Sequence, residues 1–288
     1  MITRRLIQGC SALALVSAAL PWSSALAQEI EFGTDGLAGI VDDERTGDGE
    51  FSGGALPSFQ LRGGGLVGQA DGMLFDHASE DAVGGAIHAG IALGEQGFIG
   101  VYGSVSELDR AGGLTTKRIG GEVKLASGPF WLSGVAGHED AEVQTVYVRT
   151  TATDDVYDVY GQGKSLFAFA DLGWSPTPGS SLSVGFRRTG GRNAAAASAS
   201  LRLTSGLSLL FQGRAGSHDY RGIFAGLRLR FGGRTDDTAS RMLENRLIED
   251  LFTASNGRRE LLDPLPPPPP PEDDDGEGCG SCGGYCSA

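Results

Sequence analysis

From about residue 64 to 231 the chain alternates between apolar and non-apolar positions. In the last segment Ile223, Ala225, Leu227, Leu229 and Phe231 share one face. Gly222, Phe224, Gly226, Arg228 and Arg230 share the other. In residues 83–93, Val83, Ile87, Ala89, Ile91 and Leu93 oppose Gly84, Ala86, His88, Gly90 and Ala92. Ile119, Val123 and Leu125 oppose Arg118, Glu122 and Lys124. A period of two is that of a β-strand. One apolar face against one small or charged face fits the wall of a membrane barrel, with the apolar side toward lipid.

The pattern predicts an all-β antiparallel transmembrane β-barrel of about ten strands, with eight or twelve also compatible. The strands are expected near 64–75, 82–93, 97–107, 115–126, 129–139, 164–175, 180–189, 194–204, 207–217 and 220–231. Short connections are expected at 94–96, 127–128, 176–179 and 205–206, and mostly longer ones on the other side. Short turns face the periplasm in outer-membrane barrels. An even strand count then places both termini in the periplasm. Phe98, Phe130, Trp131, Trp174 and Phe231 border the short turns, as an aromatic girdle would. Within 140–163, Val143, Val146 and Val148 allow two strands to extend above the membrane. A secreted β-sandwich also alternates, but it leaves the high glycine content and the ordered connections without a reason.

Residues 1–27 read as a signal peptide: Arg4 and Arg5, an apolar stretch, then cleavage between Ala27 and Gln28. The net charge of −13 argues against a nucleic-acid partner, and it is unevenly placed. Residues 28–57 hold eight acids and one base, and read as an acidic flexible segment ahead of a barrel at 58–231. Residues 232–263 form a periplasmic segment in which Met242, Leu243, Leu247, Ile248, Leu251 and Phe252 recur at helical spacing. Such an amphipathic helix would pack under the barrel or on a partner. Residues 264–288 hold six consecutive prolines, five acids and Cys279, Cys282 and Cys286. The prolines favour a polyproline II rod of about 19 Å. The cysteines could bind metal, though a stable zinc site needs four ligands and an exported location favours a disulfide.

Three stretches carry a resemblance. Residues 128–139 (GPFWLSGVAGHE), 185–194 (GFRRTGGRNA) and, most closely, 218–232 (HDYRGIFAGLRLRFG) resemble strands of alphaproteobacterial outer-membrane β-barrel proteins. The similarity covers about 70–235. It implies a porin-like barrel in the outer membrane of a Gram-negative bacterium, in contact with outer-membrane lipid, and no reaction. Ile223, Ala225, Leu227, Leu229 and Phe231 also resemble the signal read by the barrel-assembly machinery. That signal usually ends the chain, whereas here residues 232–288 follow.

No catalytic or cofactor-binding constellation emerges. His218 and Asp219 adjoin, but neighbours on a strand point to opposite faces, so a surface hydrolase is an outlying reading. Arg118, Glu122, Lys124, Asp171, Arg202, Arg214, Arg228 and Arg230 are expected to face the lumen. They would form either a salt-bridge network that fills it or a narrow anion-preferring path. Two functions follow: a porin-like or structural barrel without enzymatic activity, or a barrel anchor whose periplasmic tail tethers an envelope partner or binds metal or thiol partners.

Overall fold

Alternation places every second side chain on one face of a strand, and a sheet with no free edge needs a partner for its first and last strands. Both conditions are met in the computed structural model. It describes residues 29–42, 49–77, 80–94, 97–109, 113–161, 163–216, 221–232, 242–254 and 259–264. The strands are β1 (Glu29–Asp42), β2 (Gly49–Gly63), β3 (Leu66–His77), β4 (Glu80–Leu93), β5 (Gly97–Leu108), β6 (Leu114–Ser127) and β7 (Phe130–Ala141). They continue as β8 (Gln144–Thr150), β9 (Asp154–Tyr160), β10 (Gly163–Thr177), β11 (Ser180–Thr189), β12 (Arg192–Arg202), β13 (Leu207–Gly216) and β14 (Gly222–Gly232). Helix α1 (Ile248–Ala254) and strand β15 (Arg259–Pro264) follow.

Twelve strands form one closed antiparallel barrel, in which β14 pairs with β1 from Glu31↔Gly232 to Val41↔Gly222. The two strands beyond the expected ten are β1 and β2. Residues 28–57, expected to be a flexible acidic lead, supply β1 and more than half of β2. The reason is placement: Asp35 lies on the lumen face and is buried, while Ile30, Phe32 and Ile40 face outward. Pro57 interrupts the β2–β3 ladder, which pairs Ala55↔Leu74 and Ser58↔Asp71 with no pair between. Gly72 stands opposite, where an added Cβ would lie 3.0 Å from the Pro57 ring.

Connections of two to four residues gather at one end of the barrel and mostly longer ones at the other, where only the β3–β4 and β11–β12 connections are as short as two residues. At the short-turn end Gly64 and Gly65 join β2 to β3 with φ of 58° and 81°, values at home in a type I′ hairpin. At the long-loop end β8 and β9 form a hairpin. They do not prolong β7 and β10 in the wall; they belong to a separate three-stranded sheet of order β15-β9-β8.

The outer surface is apolar, with Val83, Ile119, Leu172, Val184 and Ile223 exposed, and the interior holds charged networks beside an apolar cluster that includes Met73, Phe75, Tyr102 and Phe224. A soluble sandwich, whose apolar faces meet inside, would not leave such an apolar band outside and bury charges within. Phe130, Trp174 and Phe231 lie on the outer face near the short turns, and Phe32 packs on Phe231 with ring centroids 6.5 Å apart. Phe98 and Trp131, expected in that girdle, are buried instead. Phe98 clusters with Val67 and Leu243 inside the barrel.

The largest departure concerns residues after β14. The helix expected beneath the barrel lies within it, and only Ile248–Ala254 is helical. Met242, Leu243, Leu247, Ile248, Leu251 and Phe252 are all buried, each at most 3% exposed. So are Arg246, Glu249 and Asp250, so charged as well as apolar side chains of this segment are turned away from solvent. β1 starts at the short-turn end and β14 finishes there, yet β15 pairs with β9 at the long-loop end. The two described ends of the chain, Glu29 and Pro264, therefore lie at opposite ends of the barrel; the termini expected in the periplasm lie outside the described residues.

Candidate functional site

The lumen segment is positioned by contacts that follow its sequence from one end of the barrel to the other. Near the short turns Lys124 on β6 donates to the Met242 carbonyl at 2.9 Å. Gln69 on β3 holds Leu243 twice, accepting from its N–H at 2.8 Å and donating to its carbonyl at 3.0 Å. Asn245 donates to the Gly72 carbonyl at 3.0 Å. Midway, Arg246 donates to Asp171 at 2.7 Å and to the Ser133 hydroxyl at 2.8 Å. Toward the long loops Glu249 lies between Arg187, at 2.7 Å, and Arg214, at 3.0 Å. Asp250 pairs with Arg118. Phe252 meets Phe224 edge-on at 5.0 Å, and the Arg214 guanidinium stacks on its ring at 4.8 Å.

Chemistry explains the match. A buried charge without a partner costs several kcal/mol, and Arg118, Arg187 and Arg214 each meet a carboxylate of the segment. Arg187 joins Asp171 at 2.8 Å as well as Glu249. Arg118 joins Glu139 at 3.0 Å and Thr189 at 2.8 Å, and Thr189 in turn donates to Glu139 at 2.6 Å. The six buried apolar side chains add about 1.5–3 kcal/mol each, which is the scale for burying a large aliphatic or aromatic group. A cavity of about 80 Å³ at the long-loop mouth, bordered by Met73, Ser106, Arg118, Glu139 and Asp250, has room for a few waters.

A second cluster lies within the wall itself. His88 bridges Asp71 at 2.9 Å and Glu122 at 2.6 Å, with Tyr102 edge-on at 5.0 Å. Asp35 accepts both prongs of Arg228, at 2.8 and 2.7 Å, with Arg230 at 4.0 Å.

Of the residues expected to face the lumen, Arg118, Glu122, Lys124, Asp171, Arg214, Arg228 and Arg230 lie in these networks. Arg202 does not. It sits at the short-turn rim and donates to the carbonyls of Thr204 and Pro178 at 3.1 and 3.2 Å. Sequence reasoning missed Asp35, Asp71, Glu139 and Arg187, although each occupies an inward position of its strand, and it put His88 on the non-apolar face without assigning it to the network. It also missed Arg246, Glu249 and Asp250, because the apolar residues of their segment had claimed the buried face. Ala27, Gln28, His218, Asp219, Cys279, Cys282 and Cys286 lie outside the described residues. Among the described residues no cluster of His, Cys, Asp or Glu has the geometry to hold a metal ion, and no helix is long and apolar enough to cross a membrane.

No family model and no curated protein matches the chain. Solved structures do. A protein from work on the in-meso crystallisation of membrane proteins is 13% identical, over 78% of this chain and 92% of its own, with a TM-score of 0.45. An outer-membrane channel from Pseudomonas putida F1 is 10% identical, over 75% and 97%, with a TM-score of 0.41. The β-domain of a Bordetella autotransporter is 10% identical, over 70% and 99%, with a TM-score of 0.34.

Proposed function

We propose that this chain is a non-enzymatic β-barrel of the outer membrane of a Gram-negative bacterium, closed by its own polypeptide and serving as an anchor rather than an open porin. The observation that carries this reading is the segment Met242–Ala254 inside the lumen, with Glu249 held by two arginines of the wall. The apolar exterior supports the membrane setting, because a closed barrel with an outward apolar band has no other favourable solvent. A twelve-stranded ring is wider than the eight-stranded barrels that side chains alone can fill, so a resident segment accounts for the packed interior. Arg118, Arg214 and Arg228, read as part of an anion path, are engaged by carboxylates, which favours the salt-bridge alternative.

Planar-bilayer conductance tests the proposal. The full chain is expected to show a closed baseline. The full-length Glu249→Lys variant, which sets a third cation beside Arg187 and Arg214, is expected to conduct. Steady conductance by the unaltered chain would overturn the anchor reading in favour of a porin.

A further inference from the structure

We propose that the chain threads its own barrel and displays its C-terminal tail, residues 265–288, on the cell surface. This rests on the reading of the lumen segment as a resident plug and goes beyond it. Four observations point the same way. β14 ends at the short-turn end, beside the start of β1. The contacts of Met242, Leu243, Arg246, Glu249 and Asp250 then climb the lumen in sequence order, from Lys124 and Gln69 to Arg187, Arg214 and Arg118. β15 emerges at the opposite end and pairs with β9, from Arg259↔Val159 to Pro264↔Asp154. Asp154 belongs to the turn of the β8–β9 hairpin, where its carbonyl accepts from Thr151 at 2.8 Å. Pro264 therefore leaves at the hairpin tip, on the side away from the barrel.

Which side faces out follows from loop length. Short turns face the periplasm and longer loops the exterior, and the β8–β9 excursion is on the long-loop end. The exported segment carries six prolines, five acids and Cys279, Cys282 and Cys286. The barrel thus acts on its own chain, as the conduit and holder of a surface tail. The tethering role expected for a periplasmic tail moves with it to the outer face, toward partners outside the cell.

The test uses the full chain with one epitope per variant: after Gly278 in the tail, after Ala152 in the β8–β9 turn, and after Gly179 in a short turn. Antibody on intact cells is expected to reach the first two and not the third. The third is expected to label only after the outer membrane is permeabilised. A tail epitope that labels only after permeabilisation, while Ala152 labels on intact cells, overturns the display. Labelling of Gly179 on intact cells without Ala152 reverses the orientation and overturns it too. Neither outcome touches conductance, so a closed baseline alongside either result leaves the plug standing without the display.

Discussion

Two walls of the same lumen are neutralised in different ways. On the side of β1, β3, β4 and β14, charges match within the barrel: Asp35 with Arg228, and Asp71 with His88, which also reaches across to Glu122 on β6. On the side of β6, β10, β11 and β13, the pairs of the wall, Arg118 with Glu139 and Arg187 with Asp171, are joined by partners from the lumen segment: Arg118 with Asp250, Asp171 with Arg246, and Arg187 and Arg214 with Glu249. The first wall is complete as a barrel. The second is complete only with residues 242–254 in place. Occupancy of the lumen is thus built into the strands themselves, and is not a matter of a tail that happens to fit.

The difference can be broken most severely by removing the segment. A chain ending at Gly232 is expected to form an open pore and to lose heat resistance on semi-native gels. A closed and equally heat-resistant barrel would show that the second wall does not need its partner. Next comes Glu249→Ala in the full chain, which strips one carboxylate from two buried arginines. The expected loss is about 3–5 kcal/mol, the scale for breaking a buried pair, read as a lower unfolding midpoint in urea. Asp250→Ala should cost less, about 1–3 kcal/mol, because Arg118 keeps Glu139 and Thr189. Equal losses for the two variants would contradict the shared role assigned to Glu249. Last is Asp35→Asn, expected at about 1–2 kcal/mol, because the amide oxygen still accepts from Arg228 while the charge-assisted second bond is lost. It lies on the self-sufficient wall, and the Arg228 side chain there is 20% exposed. Conductance should stay closed in that variant.

The strand pattern of β3–β7 and β10–β14 was legible because outward-facing and lumen-facing positions differ in kind, as at Ile119 against Arg118. β1 and β2 were not legible for the opposite reason. Glu31 and Asp35 count as acidic and solvated in a linear reading, although their positions alternate with Phe32, Thr34 and Gly36. A proline at position 57 also reads as a break, yet it is accommodated opposite Gly72. The segment at 242–254 showed its apolar spacing plainly. What it hid was that Arg246, Glu249 and Asp250 face partners rather than water, since a charged residue at a given spacing looks the same in either setting. Only the closed ring, which brings Arg118, Arg187 and Arg214 together from three strands, makes the acids of the segment intelligible.

The pairing of β15 with β9 has a mechanical consequence. β15 is entered from the barrel at Arg259 and left at Pro264, and β9 runs from Asp154 at the tip back to the wall at Tyr160. A pull on the tail, away from the barrel, is applied at one end of this ladder and resisted at the other. Its six register pairs, from Arg259↔Val159 to Pro264↔Asp154, are then loaded together in shear rather than opened one at a time. Tension on anything bound to the tail is passed to the barrel wall through β9 before it reaches the charges of the lumen.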